Sequence, residues 1–162
     1  GWTRLRHGDY EESIKMFHKT IEFSPTLVIG HMLLGHASIM LSRFDEAIAE
    51  LQEAVRLSDG DSWMKGSLVY AYAAAGRRDQ ASSLLTELLE GAPASGYRRS
   101  YPIDLAYAGL GDKDRTFSRL EGLAAINWWE AAFQMQRPEL ALLRGDPRVA
   151  ALRQRLRLPP LN

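Results

Sequence analysis

Apolar residues return along this chain every third or fourth position, in blocks separated by short polar or glycine-containing turns. In one block Phe44, Ala47, Ile48, Leu51, Ala54 and Val55 share a face at i, i+3, i+4, i+7 spacing. Asp45, Glu46, Glu50, Glu53 and Arg56 take the opposite face, so the spacing predicts an amphipathic helix over 44–57, preceded by another over 26–41. No stretch alternates with the period of two that a half-buried strand requires. The prolines (Pro25, Pro93, Pro102, Pro138, Pro147, Pro159, Pro160) all stand between blocks or in the first turn of one, where a missing N–H costs nothing. The chain reads as all-α.

The blocks repeat. Ser13, Ala47, Ala81 and Thr116 each open an apolar stripe and stand 34, 34 and 35 residues apart. Four residues later come Phe17, Leu51, Leu85 and Leu120, and three further on Thr20, Ala54, Leu88 and Leu123. The turn before each stripe carries Gly8, Ser42, Gly76 or Gly111. Pro25 and Pro93 close the first and third units, with Asp59 at the matching place in the second. A period of this length marks stacked supersecondary units. Each unit reads as two helices, A and B, with the small residue letting B approach A closely.

A 34-residue period with a small residue, a bulky one, an alanine-like one and a closing proline resembles the tetratricopeptide repeat, TPR. Leu34-Gly35, Leu68 with Tyr72, and Ile103 with Tyr107 supply the helix A part of that pattern, although His31 and Lys65 replace its usual Trp. The resemblance implies a right-handed α-solenoid of antiparallel helix pairs, about three and a half units, at roughly 1–25, 26–59, 60–94 and 97–126. Residues 127–162 would then be capping helices and a tail. There Leu143-Arg144-Gly145-Asp146-Pro147-Arg148-Val149 is similar to an ending found in C-terminal TPR regions of bacterial multidomain regulators. Those regulators carry winged-helix, nucleotide cyclase or protein kinase domains. Physically the ending reads as a lid on an open stack, with Asp146 capping a helix, Pro147 in its first turn, and Val149, Leu152 and Leu156 as its apolar stripe. Arg148, Arg153, Arg155 and Arg157 are expected to face away from that stripe.

The resemblance also implies a concave groove lined by the A helices, which holds a protein or peptide. Carried residue by residue, its positions are Trp2 and Arg6 in the first unit, then Ile29, Met32, His36 and Met40 in the second. Trp63, Gly66 and Tyr70 follow in the third, and Arg98, Tyr101 and Leu105 in the fourth. Aromatic residues, Met and Arg are the types enriched where partners are gripped. Packing inside the array is the competing role for Trp63, Tyr70 and Tyr101. Trp128 and Trp129 form a secondary patch that packs on the fourth unit, covers the groove mouth, meets an attached domain or builds a homodimer.

Composition narrows the function. Apolar residues make up 46% and charged ones 25%, and 20 Lys+Arg balance 20 Asp+Glu, so no excess charge draws the chain to nucleic acid or an acidic membrane. Cysteine is absent, which removes disulfides and thiolate chemistry. Among His7, His18, His31 and His36, the last two are five apart, a poor spacing for one metal; His31 is expected to pack between helices A and B. Gly109-Leu110-Gly111 lacks the lysine and strand of a phosphate loop, and Asp59-Gly60-Asp61 lacks the closing Glu of a calcium loop. No catalytic residue, metal site or cofactor is expected. The absent initiator Met and the helical pattern already running at Trp2 are expected of a piece of a longer polypeptide; the resemblance to the bacterial regulators implies an output domain before Gly1 and a cytoplasmic location. Small-molecule sensing and dimerisation of a cyclase or kinase are the alternative roles.

Overall fold

The residues that set the period are the tightest points of the molecule. Ser13, Ala47, Ala81 and Thr116 are all sealed from solvent, and the last three each stand in the second helix of an antiparallel pair. The computed structural model describes residues 9–91 and 101–159. Among these, nine α-helices and one 3₁₀ helix follow one another without a strand. The helices are α1 (Tyr10–Phe23), α2 (Val28–Met40), α3 (Phe44–Leu57), α4 (Ser62–Ala74) and α5 (Arg78–Glu90). After them come α6 (Tyr101–Gly109), α7 (Lys113–Ile126), α8 (Trp128–Gln134), the 3₁₀ helix Pro138–Leu143 and α9 (Pro147–Arg155). The architecture is an all-α solenoid in which α2/α3, α4/α5 and α6/α7 are successive pairs.

The packing follows from the sequence. Gly35 on α2 faces Leu51 and Ala47 on α3, and a Cβ at 35 would stand 2.6 Å from Leu51 Cγ; only glycine lets the bulky residue of the repeat lie across its partner helix. Helices α1 to α5 then share one continuous core that runs from Ile14 to Leu88 and takes in Ile103 and Ala106 of α6.

Each described pair turns in the same way. Ser42, Gly76 and Gly111 have φ of 58°, 74° and 77°, the left-handed conformation that ends a helix. The amides of Arg43, Arg77 and Asp112 donate back across these turns to the carbonyls of Ser38, Tyr72 and Tyr107 at 2.9, 2.8 and 3.0 Å. On the outside, Arg43 pairs with Glu11 at 2.7 Å and Arg77 with Asp45 at 2.5 Å, one unit apart. Such exposed pairs contribute about 0–1 kcal/mol each and fix register more than stability.

The regular step changes at α6/α7. Helix α4 leans on both α3 and α2, whereas α6 lies mainly against α4 and touches α5 little. Two glycines permit this: a Cβ at Gly66 would stand 2.5 Å from the Pro102 carbonyl oxygen, and one at Gly109 2.8 Å from Tyr70 Cα. The array therefore curls inward more tightly than an even spacing would give.

The last helices build a second core on α7, where Phe117, Leu120 and Leu123 meet Ala131, Met135, Leu143, Val149 and Leu152. Asp112, Asn127 and Asp146 cap α7, α8 and α9 by accepting from the amides of Arg115, Glu130 and Arg148. One expectation is corrected here. Arg153 does not face away from the stripe; it is buried, with its Nε donating to the Pro159 carbonyl at 2.9 Å.

Candidate functional site

The A helices α2, α4 and α6 carry the residues expected to line a groove, and the structure divides them. Ile29 and Trp63 stand at the same position of consecutive units and are 42% and 43% exposed. Met40 and Tyr70 are half-buried. Met32, His36, Gly66 and Leu105 are buried, so the sequence reading that lined an open groove with them is corrected. Gly66 meets Pro102 through the inward shift of α6. Leu105 lines a small cavity shared with Glu139 and Leu140. Trp2, Arg6 and Arg98 lie outside the described residues, as does the side chain of Tyr101.

What closes over this inner face is the chain's own 3₁₀ helix Pro138–Leu143. Its Glu139 reaches His36 of α2, with Oε1 3.3 Å from Nδ1. On the other side of the ring, Nε2 lies 3.0 Å from Ser67 Oγ of α4. Arg137 completes the cluster, donating from its Nη2 to Glu139 at 2.9 Å. Burial by itself would raise the Glu139 carboxyl; the hydrogen bond from His36 and the charges of Arg137 and His36 outweigh it and hold the group well below the usual carboxylate range. Nearby, burial and the charge of Glu139 push the Tyr70 hydroxyl up to about 12.

Sequence reasoning missed Glu139, which there is only one of many helical carboxylates. A signal was nevertheless present. The column His36, Tyr70 and Leu105 steps by 34 and 35 residues, and a further step of 34 lands on Glu139. Pro138 interrupts what would be another helix A, which survives as the short α8 and the 3₁₀ turn.

Ser67, His36 and Glu139 have the connectivity of a nucleophile relay. Ser67 is fully buried within α4, and the cavity near Glu139 is lined by neither Ser67 nor His36, so the hydroxyl is packed away from that cavity. Among the described residues no cluster of His, Asp and Glu has the makings of a metal site.

The other polar contacts serve packing. His31 bridges helices A and B as expected, with Nδ1 2.7 Å from Glu50 and Nε2 2.9 Å from the Pro25 carbonyl. Asp104, which pairs with Arg119, is pushed up to about 6 by burial against the pull of that guanidinium. Away from the inner face, Ile126, Trp128, Trp129 and Phe133 form an exposed apolar patch, and both Trp side chains are more than half exposed. Beneath them, α8 buries Ala131 and Gln134.

Residues 38–99 match the family model described as tetratricopeptide repeat. That span runs from the end of α2 through α5, where the period and the turns are most regular. Comparison with curated proteins and with solved structures gave no match. Repeats of this family generally mediate protein–protein interaction, and the fold is a non-catalytic one. Among the described residues no helix is long and apolar enough to cross a membrane.

Proposed function

We propose that the chain is a non-catalytic protein- or peptide-binding TPR module, the regulatory or interaction region of a larger bacterial signalling or transcription-regulatory protein working in the cytoplasm. One observation carries the reading: Ile29 and Trp63 recur at equivalent positions of α2 and α4 and stay exposed, although α2 is buried from Gly30 to Ile39. Packing alone would have buried them. Repeated, adjacent and apolar, they form a ledge along which an extended segment meets successive helices.

The test is a random peptide library selected against the folded chain. Selected sequences should share a motif, and their binding should fall at least tenfold in the Ile29→Ala/Trp63→Ala double variant with far-UV circular dichroism unchanged. Failure to enrich any motif, together with thermal stabilisation by a metabolite, would replace this reading with small-molecule sensing, since a ligand that prefers the folded state raises its stability by mass action.

A second reading, dimerisation, is favoured by the patch around Trp128 and Trp129, because apolar surface gathered on one short helix suits a self-complementary contact. Sedimentation over a range of concentrations tests it, and a persistent monomer would rule it out for this chain.

A further inference from the structure

We propose that the 3₁₀ helix Pro138–Leu143 is a resident pseudo-ligand, and that the inner face beneath it recognises a partner segment presenting a glutamate followed by a leucine. This deepens the interaction-module reading and rests on it. Glu139 and Leu140 are its buried inward residues on this face, while Pro138 and Ala141 are exposed. Glu139 takes the polar end of the site, where His36 Nδ1 and the Arg137 guanidinium both donate to it. Leu140 takes the apolar end beside Leu105. A carboxylate and an adjoining branched apolar side chain are thus what the face accepts.

Three features mark the part of the segment around Glu139 and Leu140 as displaceable, with Leu143 at its end held in the second core. It is a 3₁₀ helix, whose hydrogen bonds are poorer than those of an α-helix. A cavity lined by Leu105, Thr116, Leu120, Glu139 and Leu140 lies along it, so part of its contact surface lacks packing partners. Its anchor on the array is His36, while Arg137 belongs to the segment itself, so a competing carboxylate can replace Glu139 without leaving His36 uncompensated. Lost packing and replaceable polar contacts make this the low-stability element of the face. A partner must compete with a tethered segment at high effective concentration, so the free array binds in trans more weakly than the site itself allows.

The experiment uses the full chain and a labelled, end-blocked peptide of residues 136–143 as the probe. Fluorescence anisotropy should show the Glu139→Gln chain binding this peptide at least tenfold more tightly than the wild-type chain does. The same peptide carrying Glu139→Gln should lose that binding. Equal affinity of the two chains, or of the two peptides, overturns the proposal. If Glu139→Gln does not fold, the wild-type chain is titrated with millimolar peptide and followed by NMR: shifts at His36, Ser67 and Tyr70 support the proposal, and unmoved resonances overturn it. Library peptides that still bind the Ile29/Trp63 ledge when the probe does not would leave the module reading standing while this inference falls.

Discussion

Replacing Gly66 by alanine adds one methyl group at the point where the array departs from even spacing. The new Cβ would stand 2.5 Å from the Pro102 carbonyl oxygen and 2.6 Å from its Cα. Both are backbone atoms, so no side chain can swing aside; α6 must move off α4. Forced overpacking of this kind costs about 1–3 kcal/mol, while exchanging glycine for alanine inside a helix returns about 0.5–1 kcal/mol. The net loss is about 0–2.5 kcal/mol, a fall of up to roughly 10 °C in Tm for a chain of this size. Gly122 supplies the control. It lies exposed in the middle of α7 with no atom within 4 Å of its added Cβ, so Gly122→Ala should raise stability by about 0.5–1 kcal/mol. Thermal and urea unfolding followed by far-UV circular dichroism measure both. Equal shifts of the same sign would refute the close approach of α4 and α6.

Ala47→Leu should overpack the α2/α3 contact, where Ala47 is fully buried, at a cost of about 1–3 kcal/mol; an unchanged urea midpoint would show that the repeat phase is misassigned. His31 gives a pH signature. Burial alone would lower it, but the Pro25 carbonyl and the Glu50 carboxylate outweigh that and raise it above 6.5. A raised folded-state value means that its contribution is fully present below pH 6.5 and fades as pH climbs through that value. His31→Gln should flatten stability measured across that window, and an identical profile would contradict the two-acceptor geometry. Glu139 acts in the opposite direction: its lowered value places its contribution above pH 4.5, to be lost as the solution is acidified.

What the sequence made legible follows from what repeats. The phase set by Ser13, Ala47, Ala81 and Thr116 located the buried column, and Ser42, Gly76 and Gly111 located the left-handed turns. The 44–57 helix falls on its expected bounds. The inward slide of α6 was illegible because Gly66 and Gly109 look like ordinary helical glycines until the opposing backbone is known. His36 read as groove lining because its position alone was considered; its burial depends on Glu139, 103 residues later. The Ser67–His36–Glu139 cluster was likewise hidden, since the repeat step that joins His36 to Glu139 does not reach Ser67. Ile29 and Trp63 kept the exposure their place in the repeat suggested.

The account turns on whether the segment around Glu139 closes over the inner face, and a double-mutant cycle between His36 and Glu139 asks that directly. Urea unfolding of His36→Ala, Glu139→Ala and the double variant yields their coupling energy. Residues in contact couple by about 0.5–3 kcal/mol, whereas separated ones add to within about 0.3–0.5 kcal/mol. A coupling above about 1 kcal/mol is the predicted result, and strict additivity would place the segment elsewhere and contradict the account.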